Sequence, residues 1–343
     1  MTTPALRAVK ESLPGRRVTL LTSSRGAEVA RMVPEIDQVM IYDAPWMKAT
    51  AAHLNSEPDQ KIISQLRALK FDGAIVFTVY SQNPLPAVFL CYLADIPLRA
   101  AHCRENPYQL LTDWVKDEEP ERGVRHEVQR QLDLVGAIGC RADNNRISFR
   151  VTDNARAEVR SLLKKLGLNL HRPWVVIHPG ASAPSRCYPP EGFAEVTRRL
   201  VTAFGYQVVF TGSAAEQELV DRIQRLASVR SYSLAGSLNL SELGALLSLT
   251  TLLISNNTGP VHMAAALGTP VVDLYALTNP QHTPWAVPNR VLFHDVPCKY
   301  CYKSVCPERH HHCLKLVEPA RVVDAARDLL RETLPQFAAR VST

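Results

Sequence analysis

No stretch of this sequence approaches 18 consecutive apolar residues, so nothing in it reads as a membrane-spanning helix. Charge is sparse too: 21% of the 343 residues are Asp, Glu, Lys or Arg, against 46% hydrophobic, which excludes a disordered chain. The 15 glycines and 24 prolines are scattered without period, which excludes collagen-like and low-complexity sequences. No strand-like run is followed by Gly-x-Gly-x-x-Gly, which argues against an ordinary NAD dehydrogenase. Nucleic-acid-binding motifs are missing and the basic residues are not interleaved with aromatics. The +6 net charge therefore points to a phosphorylated ligand or an anionic membrane surface, with no nucleic acid as partner. Cysteines number eight, four of them bunched between Cys298 and Cys313, which is no secreted disulfide framework. The first residues do not read as a signal peptide, so the expected compartment is the cytoplasm.

What is present is a regular alternation of strands and helices in two series, as expected of an α/β chain long enough for two domains. An amphipathic helix opens the chain and ends at Pro14-Gly15, with Leu6, Val9 and Leu13 on one face, before the strand RVTLLT from Arg17. Helices over 24–33, 58–70 and 84–93 then lead to strands over 38–43, 73–78 and 97–102. Residues 105–151 read as irregular apart from a helix over 124–138. The grammar restarts with Asp153 as an N-cap and the strand Trp174-Val-Val-Ile-His178, and continues through strands at 206–212, 232–234, 251–255 and 270–275. Ligands in such doubly wound sheets bind outside the carboxyl ends of the strands, where this sequence carries its polar, glycine-bearing turns.

Three of those turns carry chemistry. In SNNTGPVH, from Ser255 to His262, a buried strand runs through Asn257, Thr258 and Gly259 to Pro260 at a first helical position. The free N–H groups and the helix dipole make an anion pocket; an ordinary helix capped by Thr258 is the equal alternative. In HPGASAPSRCYP, from His178, the guanidinium of Arg186 stands near Ser182 and Ser185 and can hold a phosphate bidentately, or be a solvated surface group. In TGSAAE, Glu216 can take the hydroxyls of a ribose or merely favour a helix N-terminus.

Together, HPGASAPSRCYPPEGFAEV, VVFTGSAAEQELV, LAGSLNLSELGALL and SNNTGPVHMAAALGTPVVDLY resemble the C-terminal domain of glycosyltransferase family 9, the lipopolysaccharide heptosyltransferases. The stretch from Thr2 to Trp46 looks like that family's N-terminal domain just after its opening strand. The resemblance implies a GT-B fold, two Rossmann-like domains facing a cleft: residues 1–152 on the acceptor side, 153–318 binding the nucleotide sugar, and 319–343 a helix returning to the first domain. It implies transfer of a heptose from ADP-heptose to a lipopolysaccharide core or related glycan acceptor, with inversion and with no cofactor or catalytic metal. Peripheral association with the cytoplasmic face of the inner membrane would accompany such an acceptor. Carried over by position, Arg186 meets donor phosphates, Glu216 the ribose, and Thr258-Gly259-Pro260 the diphosphate, with His262 lining the same helix. A non-catalytic nucleotide-sugar-binding protein and a nucleotide-sugar epimerase are the alternatives.

Two departures from the family pattern stand out. The family's base is an Asp in a Gly-Asp loop after the opening strand, and this sequence begins after that loop, so its catalytic base is expected to lie before Met1 and the start to be misassigned. Asn257 stands where many members have Asp, which keeps hydrogen bonding and loses a charge. Beyond the motifs, the spacing of Cys298, Cys301, Cys306 and Cys313, with His310, His311 and His312 among them, is compatible with a small structural zinc site or with packed thiols. His282 and Thr283 lie on a loop expected near the donor, Trp174 reads as core, and Arg7, Lys10, Arg16 and Arg17 form either a basic face or a solvated one.

Overall fold

The computed structural model describes residues 1–47 and 54–341, with side chains of the final helix described through Thr333. The chain forms two compact units, Met1–Arg146 and Ile147–Thr343. In the first, α1 (Thr3–Glu11), β1 (Thr19–Thr22), α2 (Ser24–Ala30), β2 (Gln38–Ile41), α3 (Glu57–Leu69), β3 (Gly73–Val76), α4 (Leu85–Leu93), β4 (Leu98–Cys103), β5 (Asp113–Lys116) and α5 (Glu127–Ala137) follow in order. Its strands pair in parallel as two sheets, β1-β2 and β3-β4-β5. Leu6 is buried on α1 as the sequence pattern requires, but Leu13 lies beyond the helix end and is 53% exposed. Strand β5 was not expected: Asp113-Trp-Val-Lys116 is a sheet edge with mostly exposed side chains, so no apolar run marks it.

The basic residues of the opening segment, read as either a basic face or a solvated one, are largely paired within this unit. Arg7 pairs with Glu35 at 2.8 Å and also donates to the carbonyls of Asn144 and Arg146. Lys10 pairs with Asp37 at 2.7 Å, and Arg16 donates to the carbonyl of Val9. Deeper in the unit, Arg130 on α5 is 1% exposed. It grips both oxygens of Asp117 at 2.9 Å, Glu119 at 2.6 Å and the carbonyl of Thr78 at 3.1 Å.

The second unit holds α6 (Asp153–Lys165), β6 (Trp174–His178), α7 (Pro190–Thr202), β7 (Gln207–Phe210), α8 (Gln217–Ala227), β8 (Tyr232–Ser233), α9 (Leu240–Leu249), β9 (Leu252–Asn256), α10 (Gly259–Leu267), β10 (Val271–Leu274), β11 (Asn289–Leu292), α11 (His312–Lys315) and α12 (Pro319–Val341). Its six strands form one parallel sheet in the order β11-β10-β9-β6-β7-β8. Central strands β6 and β9 are buried along their whole length, as parallel strands covered on both faces must be. The order in which successive strands are added reverses between β6 and β9, the switch point at which Rossmann-like sheets bind ligands.

Local chemistry sets the helix starts. Thr152, not Asp153, caps α6, its hydroxyl accepting from the N–H of Ala155. Asn239 and Glu242 form a reciprocal capping box at α9. The second unit begins earlier than the expected 152/153 boundary because Phe149 and Val151 pack with α9, in the core that includes Trp174 and Leu246. The final helix also differs from expectation. Its apolar stripe of Val322, Val323, Ala326, Leu329 and Leu330 packs into the second unit's own core with Val175 and Phe210, so its described side chains serve that unit. Among the described residues no helix is long and apolar enough to cross a membrane.

Candidate functional site

The carboxyl ends of β6, β7, β9 and β10 open into a cavity of about 310 Å³ in the second unit. Each strand delivers its turn to the same place. From β6 come His178, Gly180, Ser182 and Arg186; from β7, Glu216. From β9 come Asn257, Thr258, Gly259 and His262, and His282 follows β10. Of the residues singled out in the sequence as donor-binding, all line this cavity except Pro260. Pro260 occupies the second position of α10, behind Gly259, where its missing N–H costs no hydrogen bond.

Arg186 ends a 3₁₀ turn, Pro184–Arg186. It is half-buried rather than a solvated surface group, and its Nε is enclosed with no hydrogen-bond partner. A half-buried guanidinium with an enclosed, unused donor is suited to an oxyanion. Its turn is anchored by Ser185, which is 3% exposed: the N–H of Ser185 donates to the carbonyl of Ser304 at 3.1 Å and its Oγ to that of Lys303 at 2.8 Å. The same downstream segment reaches the turn after β10, where the N–H groups of Tyr300 and Tyr302 donate to the carbonyls of Leu277 and Thr278.

At the start of α10 the ordinary side-chain cap is not made. Thr258 holds the cap position in extended conformation, but its side chain makes no capping bond and donates instead to the carbonyl of Asn256. The first-turn amides thus have no side-chain cap, and the helix presents its positive end to the cavity beside Arg186.

Glu216 makes the helix-start contact considered for it, at the edge of the cavity. Its Oε2 accepts from the N–H and Oγ of Ser213 in a capping box at 2.7 and 2.9 Å. Its Oε1 would stand only 1.9 Å from a Cβ on Gly180, so a side chain at 180 would displace the carboxylate from this position. His178 donates to or accepts from Thr211 Oγ1 at 3.0 Å. Burial holds its imidazole below the ordinary range, the Glu216 carboxylate only partly offsetting this, so the ring stays neutral.

Behind Asn257 sits Asp273, on β10 and 0% exposed. Asn257 Nδ2 donates to Asp273 Oδ2 at 2.8 Å and to the carbonyl of His282 at 2.9 Å. Burial pushes the Asp273 carboxyl up to about 8, with the Asn257 hydrogen bond opposing. Tyr275 stabilises the neighbouring turn by donating to the carbonyl of Asn279 and accepting from the N–H of His282. His178, Gly180 and Asp273 were not singled out from sequence; an acid inside the apolar run Pro270-Val-Val-Asp-Leu-Tyr275 is the signal that marks the last of them.

Residues 60–312 match the family described as Glycosyltransferase family 9 (heptosyltransferase). The chain belongs to glycosyltransferase family 9. A curated family member, lipooligosaccharide heptosyltransferase 2 of Campylobacter jejuni, is 29% identical over 61% of this chain; the matched stretch spans 65% of that protein's length. Two solved structures show the fold to be that of this family, GT-B. The glycosyltransferase family 9 protein of Veillonella parvula superposes with a TM-score of 0.81 at 22% identity, covering 96% of this chain and 93% of its own. The ADP-heptose lipopolysaccharide heptosyltransferase II of Escherichia coli does so with 0.72 at 23% identity, covering 96% and 94%.

The cysteine segment of this family 9 chain lies outside that cavity's lining. All eight cysteines are free thiols. Cys298 Sγ stands 3.8 Å from His310 Nε2, but among the described residues no group of three or more His, Cys, Asp or Glu is placed to hold a metal ion. Thr283 and Trp285 do not line the cavity, and Trp174 is core.

Proposed function

We propose that this chain transfers a heptose from ADP-heptose to a lipopolysaccharide core or related glycan by a single, inverting displacement in which no metal takes part. The observation that carries the reading is Arg186, with an enclosed and unpartnered Nε, beside the uncapped start of α10 at the switch point of the sheet. Both place positive potential where a nucleoside diphosphate departs, the role a cation plays in other transferases.

The order of the strands gives the ligand a direction. Glu216 follows β7, Arg186 follows β6, the helix start follows β9, and Asn257 is backed by β10. A nucleotide sugar laid across them has its ribose diol at Glu216, its diphosphate between Arg186 and Gly259, and its glycosyl group toward Asn257 and His282. Glu216 is committed to its cap through Oε2, so it serves binding rather than proton abstraction. The proton of the acceptor hydroxyl falls to a base on the acceptor side. With a lipid-linked acceptor, the reaction belongs at the cytoplasmic face of the inner membrane, the protein associating peripherally.

Calorimetric titration with ADP-, GDP- and UDP-sugars, followed by transfer to a heptose-deficient core, tests this. ADP-heptose is expected to bind and to be consumed, and Arg186→Ala to weaken binding about 10- to 100-fold, the worth of charge-assisted hydrogen bonds. Absence of saturable binding by any ADP-sugar overturns the donor assignment. Binding without transfer overturns the transferase reading and leaves a nucleotide-sugar-binding protein.

A further inference from the structure

We propose that Asp273 is a positioning residue of the donor site: it locks the side-chain amide of Asn257 so that Oδ1, an uncharged acceptor, is the atom offered to the glycosyl group of the bound nucleotide sugar. This rests on the donor reading above and adds to it a rule for which ligands the site admits.

The argument begins with the inventory of an amide. Asn257 has two Nδ2 hydrogens and one carbonyl oxygen. Both hydrogens are used, one on Asp273 Oδ2 at 2.8 Å and one on the carbonyl of His282 at 2.9 Å. Rotating the amide by half a turn would set Oδ1 against the His282 carbonyl, which can only accept, and strip that carbonyl of its donor, in a place where Asn257 is only 7% exposed. The amide therefore has one orientation. Asn257 lines the cavity, and the polar atom it has left to give is Oδ1.

Asp273 reaches no ligand itself. Its Oδ1 is enclosed and without a partner, and burial raises the carboxyl well above the ordinary range, so near neutrality it holds the amide without setting a second negative charge under the diphosphate. Its place on β10, next to β9 in register Asp273 to Ser255, puts it directly behind the turn that carries Asn257. The site consequently accepts a sugar that donates a hydroxyl hydrogen toward β10. It discriminates against one that presents only an acceptor or no polar group there, since Oδ1 would then be desolvated without compensation.

The test compares the full-length wild type with Asp273→Ala and Asp273→Asn, using ADP-heptose and ADP as separate titrants and initial-rate kinetics against both substrates. Asp273→Ala frees the amide, and is expected to weaken ADP-heptose about tenfold, to leave ADP within about twofold, and to raise the donor KM without moving the acceptor KM. Asp273→Asn retains an oxygen acceptor for Asn257 and is expected to recover most of the lost donor affinity. Equal losses for ADP and ADP-heptose in Asp273→Ala, no loss at all, or failure of Asp273→Asn to restore binding each overturn the proposal. A wild type that prefers another nucleotide sugar shifts the comparison to that sugar and its diphosphate. Should the wild type bind no nucleotide sugar, the donor reading fails separately. The locked amide is then still judged by NMR, where the Asn257 side-chain protons are expected to be protected from solvent exchange in the wild type and not in Asp273→Ala; equal protection in both overturns the lock.

Discussion

Gly180 shows how a single missing side chain shapes the proposed donor site. A Cβ there would lie 1.9 Å from Glu216 Oε1 and 2.2 Å from its Cδ. In Gly180→Ala the carboxylate must swing away, breaking its bonds to Ser213 and leaving the position proposed for the ribose. The expected result is a loss of about 1 kcal/mol of stability, the worth of a cap, together with weaker nucleotide binding. Urea unfolding and calorimetry check it, and unchanged stability would show that the glycine is not there to admit Glu216. This residue-scale chemistry was partly legible in advance. Arg186, Glu216, Asn257, Thr258, Gly259 and His262 follow strand ends and announce themselves by polarity, and the cavity gathers them. Asp273 did not, because its effect depends on which side chain lies over it in the next strand's turn, and sequence order does not supply that neighbour.

At the scale of elements, one buried arginine ties three parts of the first unit together. Arg130 on α5 holds Asp117 just after β5, Glu119 beyond it and the carbonyl of Thr78 after β3. Burial pushes both carboxyls up, but Arg130 for Asp117, and Arg125 with Arg130 for Glu119, more than reverse this and hold them below the ordinary range. Arg130→Met would leave two carboxylates enclosed with less than their full complement of donors, and is expected to cost about 3–5 kcal/mol in denaturant unfolding. The sign of the pH effect follows from the lowered values. The carboxylates' contribution is present above their unfolded-state values near 4 and is lost as pH falls through the folded ones, so the wild type should lose it in acid and the variant should have less to lose. A variant equal in stability to the wild type would remove the network from any structural role. The elements themselves were mostly visible as apolar runs and caps. Edge strands β5 and β11 are not legible because an edge needs few apolar residues, and Glu216 closes a separate 3₁₀ turn ahead of α8, its carboxylate folded back on Ser213.

For the whole molecule, the two units differ in how they are built. The second has a six-stranded sheet whose central strands are fully buried; the first carries strands of four to six residues in two smaller sheets. Two transitions are expected in scanning calorimetry, the first unit melting earlier. Because every group lining the donor cavity belongs to the second unit, saturating nucleotide sugar at 100 times its Kd should raise only the later transition, by about 2.7 kcal/mol. A single transition that shifts as a whole would contradict this division. The alternation of strands and helices made two Rossmann-like domains legible from the start, but their boundary and the allegiance of the last helix depended on side-chain packing that periodicity does not encode.

The strand order that creates the switch point also sets when the site comes into being. Asn256, at the end of β9, donates to the carbonyl of Pro179, just past β6, from 77 residues further along the chain. Strands β7 and β8 are made in between and lie on the far side of β6. During synthesis the loop bearing Arg186 therefore emerges long before its counterpart at Gly259, and the amide lock waits longer still for β10 and His282. A nascent chain stalled short of β9 holds half an anion site and should ignore the nucleotide, so ligand recognition reports on the pairing of β9 with β6 rather than on the sheet's first pairing.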